Sequence, residues 1–270
     1  MNLKIESPAN PRIKELVKLR ESPRRRKERG VFFVEGMDDL LSLSRAGRTV
    51  EEIYVCEGSS RDAPEKEQRK EFEKLGIETI ETSSLAYAKA SYRSATYGVI
   101  GVVKAWELGL VEYTTMDSGP VVVLDEVEKP GNVGAILRSV EAFGGAGLIL
   151  SDSAVDFFNP NVVRSSRGLM GRIPVAMGRK GEVLEWLQNS GRKIIATSSQ
   201  AQKTVDQAIF SSPAALVFGS EKLGLGKYWH EQEIEWIRIP MKGTASSLNL
   251  NVSVSCLLYE SNRGTGCTLT

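Results

Sequence analysis

Between residues 120 and 240 the chain repeats a short apolar run rich in β-branched residues, and this repetition restricts its fold more than any other feature. Pro120-Val121-Val122-Val123-Leu124-Asp125 comes first and shows no alternation of apolar and polar positions, as expected of a strand buried on both faces of a parallel sheet. Comparable runs recur at Gly147-Leu148-Ile149-Leu150, Lys193-Ile194-Ile195-Ala196-Thr197, Ala214-Ala215-Leu216-Val217-Phe218 and Trp236-Ile237-Arg238-Ile239. Helical patterns lie between them at 132–143, 161–168, 181–189 and 203–208, with a last one at 248–262. Strands alternating with helices predict an α/β unit with a mostly parallel sheet and helices on both faces. Ligands of such sheets bind beyond the carboxyl ends of the strands.

The first part of the chain has its own pattern. A helix near 10–20, strands at 30–34 and 52–56, helices at 38–46 and 64–75 and a short strand near 98–103 predict a small α/β/α unit. With 270 residues, two domains are expected: 1–105, a linker at 106–119, and 120–270. No stretch approaches the roughly 20 apolar residues of a membrane helix, and Met1-Asn2-Leu3-Lys4-Ile5-Glu6 lacks the apolar core of a secretory signal, so a cytoplasmic protein is expected. Cys56, Cys256 and Cys267 lie too far apart for a disulfide framework or a CxxC pair. His230 is the single histidine and reads as part of a solvated helix start, so no metal is expected.

Net charge is only +1, but its distribution is uneven. Between Lys4 and Arg29 stand ten basic residues against four acidic ones. This excess suits phosphate contact, with Arg12, Arg24, Arg25, Arg26 and Lys27 as candidate RNA-binding residues. The alternative is a solvated, charge-rich helix whose Ile13, Leu16 and Val17 share one buried face. The run by itself leaves both readings open.

Three segments in the second half join apolar runs to polar, glycine-containing turns: Asn132-Val133-Gly134-Ala135-Ile136-Leu137-Arg138, Phe218-Gly219-Ser220-Glu221-Lys222-Leu223-Gly224-Leu225, and Ile239-Pro240-Met241-Lys242-Gly243 running on to Ser247-Leu248-Asn249. They are not nucleotide loops of the common kinds. Gly144-Gly145 follows a helix and precedes a strand, the reverse of a dinucleotide fingerprint, and reads as a helix cap and turn. Gly219 and Gly224 have P-loop separation, but Leu225 stands where lysine is required.

In order and content the three segments resemble the motifs of the SpoU (TrmH-like) RNA 2'-O-ribose methyltransferases, of the SPOUT superfamily. Ser7-Pro8-Ala9-Asn10-Pro11-Arg12-Ile13-Lys14 and Phe33-Val34-Glu35-Gly36 look like the substrate-binding domain often joined to that catalytic unit. The resemblance implies a trefoil knot in the C-terminal domain, a homodimer with sites combining both subunits, and S-adenosylmethionine as cofactor. It implies a ribosomal RNA substrate first, with transfer RNA or a non-catalytic RNA-binding role as alternatives. The apolar stretch Val252–Tyr259 is a candidate for the dimer interface, and its apolar residues could equally be monomer core.

The same resemblance distributes roles. Arg138 matches the family's catalytic arginine. Because a guanidinium with a pKa above about 12 is a poor proton acceptor, orienting the ribose and stabilising alkoxide charge is the minimum role expected of it. Asn132, Glu221, Ser247 and Asn249 match the other catalytic positions, with Glu221 able to brace the loop by accepting from Asn132 or from a backbone amide. Phe218, Gly219, Ile239, Met241, Leu248 and Gly243 match positions that cradle the cofactor. Asn251 departs from the pattern, since relatives usually carry a small residue there.

Overall fold

The computed structural model describes residues 4–56, 70–92, 98–116, 119–210 and 213–263. The chain divides into two compact units: Met1–Trp106 with Asp156–Arg172, and Glu107–Val155 with Ile173–Thr270.

The first unit begins with strand β1 (Lys4–Ile5) and helix Pro11–Glu21. That helix starts where Asn10 accepts from the Arg12 amide and Pro11 supplies a pre-set first turn. Its buried face is Ile13, Leu16 and Leu19, spaced three apart, with Val17 only half-buried. Ser22 ends it and caps the next helix, Pro23–Arg29, which stops at Gly30 in the left-handed region. Strand β2 (Val31–Glu35), helix Met37–Arg45, β3 (Val50–Cys56), β4 (Glu78–Thr82), helix Ser84–Ala90 and β5 (Val99–Lys104) follow. The sheet order is β1-β4-β3-β5-β2, parallel from β1 to β3 and antiparallel on either side of β5. Ile13, Leu16 and Leu19 pack with Phe33, Tyr54, Ile80, Tyr87 and Ile100, each such burial stabilising by about 1.5–3 kcal/mol. Strands β1 and β4 and helix Ser84–Ala90 were not predicted, because their short segments show little periodicity. Half of the helix expected at 64–75 lies outside the described residues, and 70–74 of the remainder are helical.

In the second unit, β6 (Val121–Asp125), helix Pro130–Ala142 and β7 (Gly147–Ser151) come first. The chain then contributes Asp156–Arg172, including helix Pro160–Ser166, to the first unit. The predicted division into 1–105 and 120–270 therefore misses a discontinuous exchange. After it come β8 (Val175–Gly178), helix Lys180–Asn189, β9 (Lys193–Thr197), β10 (Lys203–Thr204), β11 (Ala214–Phe218), helix Lys227–His230, β12 (Glu235–Arg238) and helix Leu250–Asn262. The sheet runs β10-β12-β9-β11-β6-β7-β8 with every pair parallel. Every residue of β6, β7 and β11 is buried, which is why those runs show no alternation.

Two further expectations change. Residues 203–208 form β10 and one 3-10 turn, Val205–Gln207, because Lys203 and Thr204 pair with Ile237 and Arg238. The expected linker is packed structure: Leu108 accepts from the Met177 amide at 2.6 Å, and the buried Tyr113 ring lies 5.1 Å from Trp186. Gly144, at φ +63°, lies just beyond the Phe143 cap of helix Pro130–Ala142, as its position before a strand predicted.

Candidate active site

At the carboxyl ends of β9, β11 and β12 the following loops enclose a cleft of about 470 Å³, within the usual range for small-molecule sites. Phe218, Gly219, Ile239, Met241, Ser247 and Leu248 line it. The loop after β11 folds back on itself: Ser220 and Gly224 exchange backbone hydrogen bonds of 3.1 and 3.0 Å, with Gly224 at φ +67°. A Cβ on Gly219 would lie 2.0 Å from the Gly224 carbonyl carbon, so only glycine permits this fold-back.

The fold-back presents Glu221 to a residue 89 positions earlier. Asn132 Nδ2 donates to Glu221 Oε1 at 2.5 Å, joining the first polar segment to the second. Asn132 sits in the first turn of helix Pro130–Ala142, which buries Val133, Ile136, Leu137 and Val140. Arg138, on the opposite face of that helix, is exposed and does not line the cleft.

The third segment divides. Ser247 and Leu248 reach the cleft, whereas Asn249 Oδ1 accepts from the Asn251 amide at 2.9 Å and caps helix Leu250–Asn262. Gly243 lies outside the cleft, and among the described residues a Cβ there would meet no atom within 4 Å. Asn251 is accommodated by pairing between helices: Ser139 Oγ donates to its Oδ1 at 2.9 Å and lies 2.8 Å from Ser255 Oγ.

Thr197, Ser198, Gln200, His230 and Trp236 also border the cleft and were missed. For the first three a signal existed, since Thr197 ends a predicted parallel strand and Ser198 and Gln200 directly follow it. His230 ends its helix rather than starting one.

Beside the cleft, Asp125 closes β6 with 1% exposure. Burial pushes its carboxyl pKa above the ordinary value, opposed by Ser151 Oγ donating at 2.6 Å and by Lys180 Nζ at 3.2 Å. Lys180 also meets Glu126 at 2.7 Å. Glu126 and Asp152, directly after β6 and β7, hold φ of 53° and 44°, unusual for non-glycine residues. The lysine thus secures the strained turn that leads toward Asn132.

The basic run in the first unit is largely committed elsewhere. Arg26 is 3% exposed, donating to Asp156 at 2.8 and 2.5 Å and to the Leu19 and Arg20 carbonyls at 2.5 and 3.1 Å. Its burial removes it from the candidate RNA-binding set. Arg25 grips Glu15 through two bonds of 2.8 and 3.0 Å, and Arg12 meets Glu78 at 3.3 Å. Arg24 pairs with Glu28 yet remains 88% exposed at its side chain, and Lys27 is exposed.

Among the described residues, no group of three or more His, Cys, Asp or Glu side chains is placed to hold a metal ion, and no helix is long and apolar enough to cross a membrane. A parallel α/β sheet with a cleft at its carboxyl edge is the arrangement in which open α/β proteins hold small ligands. The SpoU rRNA Methylase family matches residues 119–259, and the MRM3-like substrate binding domain matches residues 10–101. The 23S rRNA (adenosine(1067)-2'-O)-methyltransferase of Streptomyces azureus is 27% identical over 260 residues, 95% of this chain and 94% of that one. The 23S rRNA (uridine(2479)-2'-O)-methyltransferase of Streptomyces viridochromogenes is 36% identical over 148 residues, about half of each chain at 53% and 52%. The crystal structure of an RNA 2'-O ribose methyltransferase matches with a TM-score of 0.85 at 33% identity, covering 97% of this chain and 98% of that one. The SpoU methyltransferase AviRb of Streptomyces viridochromogenes, in complex with AdoMet, matches at 0.84 and 27% identity, covering 94% and 97%. The chain belongs to the SpoU rRNA methylase family.

Proposed function

We propose that this protein transfers a methyl group from S-adenosylmethionine to a ribose 2'-hydroxyl of ribosomal RNA. The observation that carries the reading is the Asn132–Glu221 bond, which ties the first two family motifs together at a cleft that Ser247 of the third also lines. The cleft suits the cofactor chemically. Phe218, Ile239, Met241 and Leu248 offer apolar surface for a nucleoside, Thr197, Ser198 and Gln200 offer hydrogen bonds, and Glu221 brings a carboxylate to a cationic ligand. When bound, the sulfonium supplies an electrophilic methyl. Transfer to the 2'-oxygen would release S-adenosylhomocysteine, and the hydroxyl proton would pass to water.

The protein's task is alignment and management of that proton and charge. Glu221 fixes Asn132, and with it the start of the helix bearing Arg138. Arg138 holds the target phosphate and stabilises developing alkoxide charge, as a permanently charged, forked donor is suited to do. Its exposure away from this chain's cleft supports the homodimer that the resemblance implies, in which a second copy completes the site. Two late strands lie between earlier ones, β11 between β9 and β6 and β12 between β10 and β9, an order that a threaded, knotted segment would produce. The first unit is the RNA-binding domain, with Arg24 and Lys27 the exposed cations of the candidate set.

The test is incubation with labelled S-adenosylmethionine and separate pools of unmodified ribosomal and transfer RNA, followed by nucleoside analysis. A 2'-O-methyl nucleoside from the ribosomal pool is expected. Label confined to transfer RNA would replace the substrate, and label on a base would overturn the reaction. Arg138→Ala is expected to lose methyl transfer by at least about 100-fold while keeping RNA binding, and unchanged turnover in that variant removes Arg138 from the chemistry.

A further inference from the structure

One wall of the cleft is aromatic and belongs to none of the three motifs. Trp236, in β12, is paired in register with Ala196 of β9, and His230 closes helix Lys227–His230. Their rings stack face to face, with centroids 4.2 Å apart and planes within 1° of parallel. Both border the cleft.

Each partner is held by structure outside the stack. Next to His230, Trp229 is fully buried and meets the Tyr228 ring edge-on at 5.9 Å. The Trp229 amide donates to the Gly226 carbonyl at 3.1 Å, and Gln232 Nε2 donates to the Tyr228 carbonyl at 2.9 Å. Next to Trp236, the Glu235 carboxylate is tied to both Lys193 and Lys203. Trp236 covers one face of the imidazole. His230 is itself exposed and borders the cleft, where a third plane can reach it.

We propose that the His230–Trp236 pair is a stacking platform for a nucleobase held in the cleft. A flat ring anchored before the ligand arrives loses little freedom on binding, and offset stacking suits any base because each presents a π face. The proposal rests on the methyltransferase reading, which supplies two such planes: the adenine of the cofactor and the base of the target nucleotide.

Calorimetric titration with S-adenosylhomocysteine, the unreactive product, separates them when performed on wild type, His230→Ala and His230→Phe, with RNA binding measured in parallel. His230→Ala is expected to weaken one of the two ligands by about 5- to 100-fold, and His230→Phe, which keeps a flat ring, to restore it. Weakened S-adenosylhomocysteine assigns the platform to the cofactor adenine. Weakened RNA with unchanged S-adenosylhomocysteine assigns it to the target base. Equal affinities in all three proteins for both ligands, or a loss that phenylalanine does not restore, overturn the platform. Wild type that binds no S-adenosylhomocysteine overturns the methyltransferase reading along with it.

Discussion

Arg26 and Gly219 show how the surroundings of one residue set its work. Arg26 carries the same charge as Arg24 and Lys27, but its guanidinium is enclosed by Asp156 and two backbone carbonyls. Arg26→Met leaves that carboxylate and those carbonyls without their donor, and a loss of about 3 kcal/mol is expected in urea unfolding. Replacing Arg24 and Lys27 by glutamine should leave the unfolding midpoint within error while flattening the salt dependence of RNA binding. An unchanged slope would return both to the role of solvated charges. For Gly219→Ala, the collision with Gly224 predicts an opened loop and at least tenfold weaker S-adenosylhomocysteine binding by calorimetry, with the far-ultraviolet spectrum retained. The resemblance marks position 219 from sequence. The contact that demands glycine there, to a carbonyl five residues on, emerges only when the loop is folded.

At the scale of elements, the central strands of the second unit were legible because β6, β7, β9 and β11 are apolar runs bounded by turns. Strand β10 was not, since Lys203 and Thr204 become a strand only through pairing with β12. Glu235 of β12 reinforces that edge. Burial acts to raise its pKa, but bonds to Lys193 and Lys203 outweigh this and hold it below the ordinary 4.5. A carboxyl depressed in the folded state stabilises above its unfolded pKa, and this contribution fades as pH falls through the folded value. Glu235→Gln should therefore cost about 1 kcal/mol at neutral pH, with the gap between wild type and variant closing as pH falls from 4.5 through the depressed folded value. Melts across that range check it, and a gap that persists in acid would mean the loss is one of packing. Helix Leu250–Asn262 also has two readings from sequence, core or interface, because apolar residues occur all round it. The fold assigns Val254, Leu257 and Leu258 to the core and leaves Val252 and Tyr259 exposed at 44% and 61%.

For the whole molecule, that exposure makes the final helix a testable part of the proposed dimer. Arginine at both Val252 and Tyr259 should halve the mass seen by light scattering and abolish methyl transfer, with S-adenosylhomocysteine binding as the check that each chain remains folded. A dimer of unchanged mass would move the interface elsewhere. The sequence by itself determined the α/β class, the parallel character of the second sheet and the three segments at its carboxyl edge, because these depend on the local spacing of apolar residues, glycines and turns. Only the tertiary structure decided which charges are free, that Asn132 bonds Glu221, that Asp156–Arg172 joins the first unit, and that His230 stacks on Trp236. Each depends on how the chain returns to itself across the strand crossovers: Arg26 meets its carboxylate 130 residues away, and no periodicity within one helix encodes a partner at that distance.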